Sequence, residues 1–213
     1  MLKVTDLCYN NGGLNILNAL SFLLNAGEFL AITGENGSGK STLLNILATV
    51  LQPTRGQILF HDRNIYHDLS RYRQQIGVSF GAPSGFYPRL NAIDNLVLFS
   101  HLKGNGLSRA AAKYLVLETG LKEVDIYKPY ANYSLGMRQR LHLARACQAH
   151  YPLWIVDEPT NGLDSDGIDF LHSKIEKHCA NNGMIICVSH DKNFIDKHQH
   201  REIKLLKIME DKK

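Results

Sequence analysis

The densest chemistry in the chain lies in the run Gly34-Glu35-Asn36-Gly37-Ser38-Gly39-Lys40-Ser41-Thr42. Its Gly34, Gly39, Lys40 and Ser41 satisfy the spacing GxxxxGK[ST], and Gly37 adds a further glycine inside the loop. Residue types at these offsets are those a phosphate chain needs. Glycines let backbone N–H groups turn toward phosphate oxygens, and a following helix N-terminus favours their negative charge. Lys40 can reach the terminal phosphates, and Ser41 offers a hydroxyl to a divalent cation. A plain glycine turn before a helix would need neither the lysine nor the hydroxyl.

A second group lies far along the chain. The apolar run Leu153-Trp154-Ile155-Val156 ends in Asp157-Glu158, which puts two carboxylates at the C-terminal end of a buried strand, where open α/β sheets bind ligands. Asp157 can hold Mg²⁺ through water, and Glu158 can polarise an attacking water as a general base. Taken alone the pair reads as an acidic turn after a strand; beside the phosphate loop it completes a site for binding and hydrolysing Mg-ATP. His190 follows Ile185-Ile186-Cys187-Val188-Ser189 and so stands at the end of another apolar strand, within reach of a γ-phosphate. His198 and His200 are assigned to a solvated segment.

The elements that must carry these groups can be read from periodicity. Short apolar runs separated by turn residues, Leu2 to Tyr9, Leu17 to Leu24 and Glu28 to Thr33, predict strands. Phe29-Leu30-Ala31-Ile32 is apolar on both faces and leads through the glycines to a helix-like stretch from Ser41 to Leu47, a strand, loop and helix of parallel α/β type. Leu153 to Val156 and Met184 to Val188, separated by a helical stretch from Ile168 to Cys179, are expected in the same sheet. Between about Gly85 and His150 the pattern turns helical, over Ala92 to Leu102, Ser108 to Thr119 and Met137 to Ala149. That segment predicts a helical subdomain inserted into the core. Glu202 to Ile208 predicts an edge strand with a solvated tail.

Bulk properties bound the rest. At 213 residues and 44% hydrophobic content, the chain fits one domain with an insertion better than two independent domains. Lys and Arg number 24 against 20 Asp and Glu, mildly basic without dense basic stripes, so no nucleic-acid partner is expected. Cys8, Cys147, Cys179 and Cys187 lie in apolar stretches without metal-type spacing, as small reduced core residues would. No apolar run approaches the ~18 residues of a membrane span. A cytoplasmic chain is expected, with any membrane crossing done by another protein.

Several of these motifs, in this order, make the chain resemble the ATP-binding cassette (ABC) ATPases over essentially its whole length. GENGSGKST resembles the Walker A motif, LWIVDE the Walker B motif, Asn161-Gly162-Leu163-Asp164 the D-loop, and Ser189-His190-Asp191 the switch-histidine region. Tyr133-Ser134-Leu135-Gly136-Met137, with Arg138-Gln139-Arg140 after it, resembles the signature motif. The resemblance implies a P-loop NTPase (RecA-like) α/β core with an N-terminal antiparallel β subdomain and an inserted α-helical subdomain. It also implies ATP and Mg²⁺ as ligands, with Gly34, Asn36, Gly37, Ser38, Gly39, Lys40, Ser41 and Thr42 around the phosphates, Ser41 and Asp157 on the metal, and Lys40, Glu158 and His190 in catalysis. Two cassettes, identical or not, would dimerise head to tail, so that Ser134 and Gly136 of one cap the γ-phosphate held by the other, with Asp164 at the same interface. Ser134 can at the same time be a helix cap. Tyr9 stands where the family places an aromatic residue on adenine; it can equally be a core residue of its strand.

Departures from the family pattern are informative. Leu135 and Met137 replace a glycine and a glutamine of the common signature, while Ser134 and Gly136 remain. After Ile76-Gly77-Val78-Ser79-Phe80 the family places a glutamine, and here Gly81 stands there; Gln74 and Gln75 precede the strand. Phe86-Tyr87-Pro88-Arg89-Leu90, Asp94-Asn95-Leu96 and the signature resemble exporter cassettes. The leading expectation is therefore the energising subunit of an ABC exporter, held peripherally on the cytoplasmic face by an integral membrane permease. The alternative is an ABC ATPase that acts on a protein assembly, such as iron–sulfur cluster assembly.

Overall fold

The computed structural model describes residues 1–81, 85–148 and 150–208. Two sheets organise the chain. Strands β1 (Leu2–Asn11), β2 (Leu14–Leu24), β4 (Arg55–Phe60) and the short β5 (Arg63–Asn64) form an antiparallel sheet in the order β2-β1-β4-β5. Strands β3 (Phe29–Gly34), β6 (Ile76–Ser79), β7 (Leu153–Asp157), β8 (Met184–Val188) and β9 (Arg201–Leu205) form a parallel sheet in the order β6-β7-β8-β3-β9. The fold is mixed α/β, and β9 lies at the sheet edge where the C-terminal pattern predicted it. The expected solvated tail runs past Leu205, and its residues 209–213 lie outside those described.

The inner parallel strands β3, β7 and β8 read as near-continuous apolar runs because both of their faces are covered. Successive side chains point to opposite faces, and the core divides accordingly. Leu30, Ile32, Leu153, Ile155, Met184, Ile186 and Val188 join Leu43, Leu44 and Leu47 of helix α1 (Lys40–Leu47) and the inner face of the antiparallel sheet. Phe29, Ala31, Trp154, Val156, Ile185 and Cys187 pack on the other side, against helices α6 (Ser165–Ala180) and α7 (Lys192–His198). Helix α2 (Leu69–Gln74) adds Tyr72 to the first cluster, where its hydroxyl donates to the Leu47 carbonyl at 2.8 Å.

Between β6 and β7 the chain forms helices α3 (Ala92–Leu102), α4 (Arg109–Glu118) and α5 (Leu135–Ala146). These helices share a third apolar cluster that includes Phe86, Ile93, Leu96, Val116 and Leu141. Helix α5 faces two ways: Leu141 and Ala144 enter this cluster, and Leu143 and Ala146 enter the one beneath the parallel sheet. The sequence pattern placed its start at Met137; it begins at Leu135 because the Ser134 side chain accepts from Met137 N–H at 3.3 Å, the geometry of an N-cap. It ends at Ala146, and the expected end, Ala149, lies outside the described residues.

The solvated assignment of His198 is corrected. It is only 7% exposed, its ring lies 5.8 Å from that of Phe29 and 5.3 Å from that of Phe194, and Nε2 meets His172 Nδ1. His200 is exposed, yet its Nδ1 accepts from Phe29 N–H at 3.0 Å and ties the start of β9 to β3. Of the four free cysteines, Cys147 and Cys187 are buried and Cys8 and Cys179 partly so.

Candidate functional site

The loop between β3 and α1 is shaped by glycines where side chains would collide. Gly34 (φ 140°) and Gly39 (φ 94°) both lie in the positive-φ region, and a Cβ on Gly39 would press on the Ile16 carbonyl at 3.0 Å. Lys40, 8% exposed, folds back so that Nζ donates to the carbonyls of Gly34 at 2.7 Å and Glu35 at 3.0 Å, which fixes the ammonium across the loop mouth. The other α-helices begin at Asp68, Asn91, Ser108, Ser134, Asp164 and Asp191, each of which caps an amide with its side chain. Helix α1 begins at Gly39 with no side-chain cap, so its first-turn N–H groups keep their capacity for an outside acceptor.

Opposite the loop, β7 delivers Asp157 and Glu158. Glu158 adopts φ 46°, a left-handed conformation uncommon for a residue with a side chain. Neighbouring contacts hold it: its N–H donates to the Val188 carbonyl at 2.8 Å, and its carbonyl accepts from Asn161 N–H at 3.2 Å. One carboxylate oxygen, Oε2, accepts from the Ser189 hydroxyl at 3.2 Å and from His190 N–H at 3.3 Å. The other, Oε1, is buried without a hydrogen-bond partner and lies 3.7 Å from His190 Nε2. Burial, and then the neighbouring Glu158 charge, push the Asp157 carboxyl above its ordinary range, against the opposing pull of Lys40 and His190.

These groups meet in one open cleft of about 580 Å³ lined by Asn36, Gly37, Gly39, Lys40, Ser41, Thr42, Asp157, Glu158 and His190. Leu14, Ile16, Asn161 and Val188 complete the lining; Leu14, Ile16 and Val188 carry no motif and could be found only from the close approach of β2 and β8 to the loop. Gly34 and the buried Ser38 form the back of the loop outside that lining. Tyr9 does not line the cleft: it pairs with Leu17 in the antiparallel sheet and packs half-buried against the first core. Ser134, Gly136 and Asp164 also lie outside it. Asp164 caps α6 through Gly167 N–H at 2.9 Å and pairs with Arg140, whose guanidinium also donates to the Thr119 carbonyl.

The cleft suits a magnesium-bound triphosphate. An anionic chain would find the Lys40 ammonium and uncapped amides, and hard oxygen donors, the Ser41 hydroxyl and the Asp157 carboxylate, stand beside them. Among the described residues no group of three or more His, Cys, Asp or Glu converges to hold a metal ion. Phosphate oxygens and water would have to complete a coordination shell, which is how Mg²⁺ is ordinarily bound at such sites. Gly81, in the place of the family glutamine, has φ 48° and open space around an added Cβ, so the backbone there favours glycine over any longer residue.

A second concavity, about 560 Å³, opens between the core and the helical segment. Its walls include Val50, Ile76, Val78, Phe80, Phe99 and Leu102, with Arg73, Lys103 and Arg145 among them and no carboxylate. Burial and the nearby Arg145 lower the Lys103 ammonium to about 8. None of the three cations forms an ion pair among the described residues; Arg73 and Lys103 donate to backbone carbonyls, and Arg145 lies over the rings of Phe86 and Phe99. No helix among the described residues is long and apolar enough to cross a membrane.

Comparison with known proteins bears on the whole chain. The family model described as ABC transporter matches residues 17–161. The cytochrome c biogenesis ATP-binding export protein CcmA of Pseudomonas aeruginosa is 34% identical over 190 residues, covering 89% of this chain and 93% of that protein. Its namesake from Escherichia coli K12 is 31% identical over 205 residues, 96% of each. Among solved structures, one described as the ATP-binding subunit of an ABC transporter superposes with a TM-score of 0.87 at 28% identity, over 96% of this chain and 85% of that one. A dimeric ATP-binding cassette in a post-hydrolysis state, bound to ADP and Pi, superposes with a TM-score of 0.84 at 27% identity, over 96% of this chain and 94% of that one.

Proposed function

The chain belongs to the ABC transporter family as an ATP-binding, ATP-hydrolysing cassette, and on that premise we propose that it drives export through a separate membrane permease by clamping ATP between two cassettes. The observation that carries this reading is the shared cleft, in which the Lys40 loop faces Asp157, Glu158 and His190.

In this reading the amides of Gly37, Gly39, Lys40 and Ser41 and the Lys40 ammonium bind the phosphates. Ser41 and Asp157 hold Mg²⁺, which supplies charge neutralisation on the phosphate oxygens when bound. Glu158 takes a proton from the attacking water at its unpartnered Oε1, and its Oε2 is kept in place by Ser189 and the His190 amide. His190 presents its ring to the γ-phosphate. Leu14 and Ile16 give the base a hydrophobic wall, a role for which the cleft supports them over Tyr9. Ser134, Gly136 and Asp164 act on the partner cassette's nucleotide, which accounts for their lying outside this chain's own cleft.

Export is supported by the similarity to the cytochrome c biogenesis ATP-binding export proteins CcmA. The cationic, apolar-walled concavity supports a permease segment that carries carboxylates, because Arg73, Lys103 and Arg145 meet none within the described chain. Replacing Lys103 with Glu should reduce recovery of the cassette with membranes in mild detergent; unchanged recovery would assign the permease to another surface.

The central test is turnover and assembly of two variants. Lys40→Ala is expected to abolish ATP turnover. Glu158→Gln should slow it by roughly 10²- to 10⁴-fold, the usual contribution of a general base, and should accumulate as an ATP-dependent dimer on a sizing column. Full activity in either variant would sink the site assignment.

A further inference from the structure

Strand β9 runs parallel to β3, in register from Leu30↔Arg201 to Gly34↔Leu205, so the chain leaving its C-terminal end emerges beside the phosphate loop. In an open α/β sheet that end of the strands is where ligands bind. Nothing separates the two segments: a Cβ on Gly34 would strike the Leu205 carbonyl. Two residues on, the exposed Lys207 extends its side chain to the loop, and its Cε lies 4.0 Å from where a Cβ on Gly37 would stand. Gly37 lines the cleft. The Lys207 ammonium, one bond beyond Cε, enters no ion pair among the described residues, not even with Glu35 of the same loop.

We propose that Lys207 is a second nucleotide-directed cation, which the edge strand holds at the phosphate loop to draw in and retain a polyphosphate. The inference rests on the nucleotide site proposed above. The two lysines divide the work. Lys40 is buried and its ammonium is committed to the carbonyls of Gly34 and Glu35, so it shapes the loop as well as charging it. Lys207 is uncommitted and solvated, so its charge acts on an arriving anion without first giving up a partner. It stands at the outer side of the site, away from the carboxylates that act on water, and so serves binding and not the chemical step.

The experiment measures binding of a fluorescent, non-hydrolysable ATP analogue with Mg²⁺ to the full chain at low and at high ionic strength. At low salt Lys207→Ala is expected to raise the dissociation constant by at least about threefold, the scale of one exposed charge interaction, and Lys207→Arg should retain wild-type affinity. High salt should shrink the difference, because exposed charges are screened. Lys122→Ala, which removes an equally exposed lysine from the helical segment, should leave affinity unchanged. The melting temperature of the nucleotide-free Lys207→Ala protein should match that of the wild type, which separates lost binding from lost folding. If the wild type binds, Lys40→Ala does not and Lys207→Ala binds as tightly as the wild type, the inference is overturned and the site stands. A loss that Lys122→Ala reproduces, or that high salt leaves unaltered, would overturn it too, since the cause would then be net charge or packing. Failure of the wild type to bind the analogue at all overturns the site and the inference together.

Discussion

The Asp157 carboxylate is set where burial and the neighbouring Glu158 both oppose its charge. A carboxyl whose folded-state pKa is raised holds its proton more tightly in the native than in the unfolded chain. Above the unfolded value its ionisation therefore subtracts from stability. Asp157→Asn removes that charge and should raise the melting temperature of the nucleotide-free protein by about 2 °C, while ATP turnover falls at least about 100-fold. Scanning fluorimetry with a phosphate-release assay checks both; a lowered melting temperature would mean the carboxylate is structural. At this scale the sequence singled out Lys40, Ser41, Asp157, Glu158 and His190 by residue type and spacing, and the structure brings all five to one cleft. It did not show the left-handed conformation of Glu158, and it left Tyr9 open between an adenine contact and the strand core, because both are decided by contacts with residues far along the chain.

Helix α5 and strand β6 meet with no space between them. A Cβ on Gly77 would collide with the Ala146 carbonyl and come within 2.9 Å of the Tyr151 ring, so the last turn of α5 rests directly on the strand backbone. Neither partner can yield cheaply, since β6 is hydrogen-bonded to β7 from Ile76↔Leu153 to Ser79↔Val156 and α5 enters two apolar clusters. Gly77→Ala should destabilise the fold by about 3 kcal/mol, the upper range for overpacking, read as a lowered urea midpoint with an unchanged slope. An unchanged midpoint would show that α5 can slide on the sheet. Element positions were legible because the apolar runs are long: α3 and β8 match their predicted limits of Ala92–Leu102 and Met184–Val188. The start of α5 was missed by two residues because apolar periodicity outweighed the Ser134 cap. The link between Arg140 and Asp164 has no sequence signal beyond charge, since it joins elements that only the tertiary fold brings together.

The whole molecule closes over histidines that must stay neutral. His142, 3% exposed, is held at about 3 by burial and then by Arg145. His178, 5% exposed, is held at about 4 by burial, its ring stacked 3.7 Å from that of Trp154. His198 is held at about 4 by burial, with the adjoining His172 and Lys197 adding to it. Nothing in the charged surroundings of Lys197-His198-Gln199-His200 announces burial; it follows from α7 folding onto α6 and Phe29, a contact between distant parts of the chain. Each of these rings has a folded-state pKa below the unfolded value of about 6.5. Between the two values the unfolded chain binds protons that the native chain refuses, so stability is intact above about pH 6.5 and falls as the solution is acidified. One such group contributes about 1.4 kcal/mol per pH unit, and three acting together about 4 kcal/mol per pH unit, against a total stability of roughly 5–15 kcal/mol. Unfolding in urea at pH 8, 7, 6 and 5 should therefore show a flat midpoint down to pH 7 and a steep fall below 6. His198→Gln should lessen that slope by about a third, even if it lowers stability at pH 8, because a neutral amide removes one proton-linked step. A midpoint that stays level to pH 5, or a slope that His198→Gln leaves unaltered, would mean that these rings accept protons in the folded protein and that the core around α6 and α7 opens to let them.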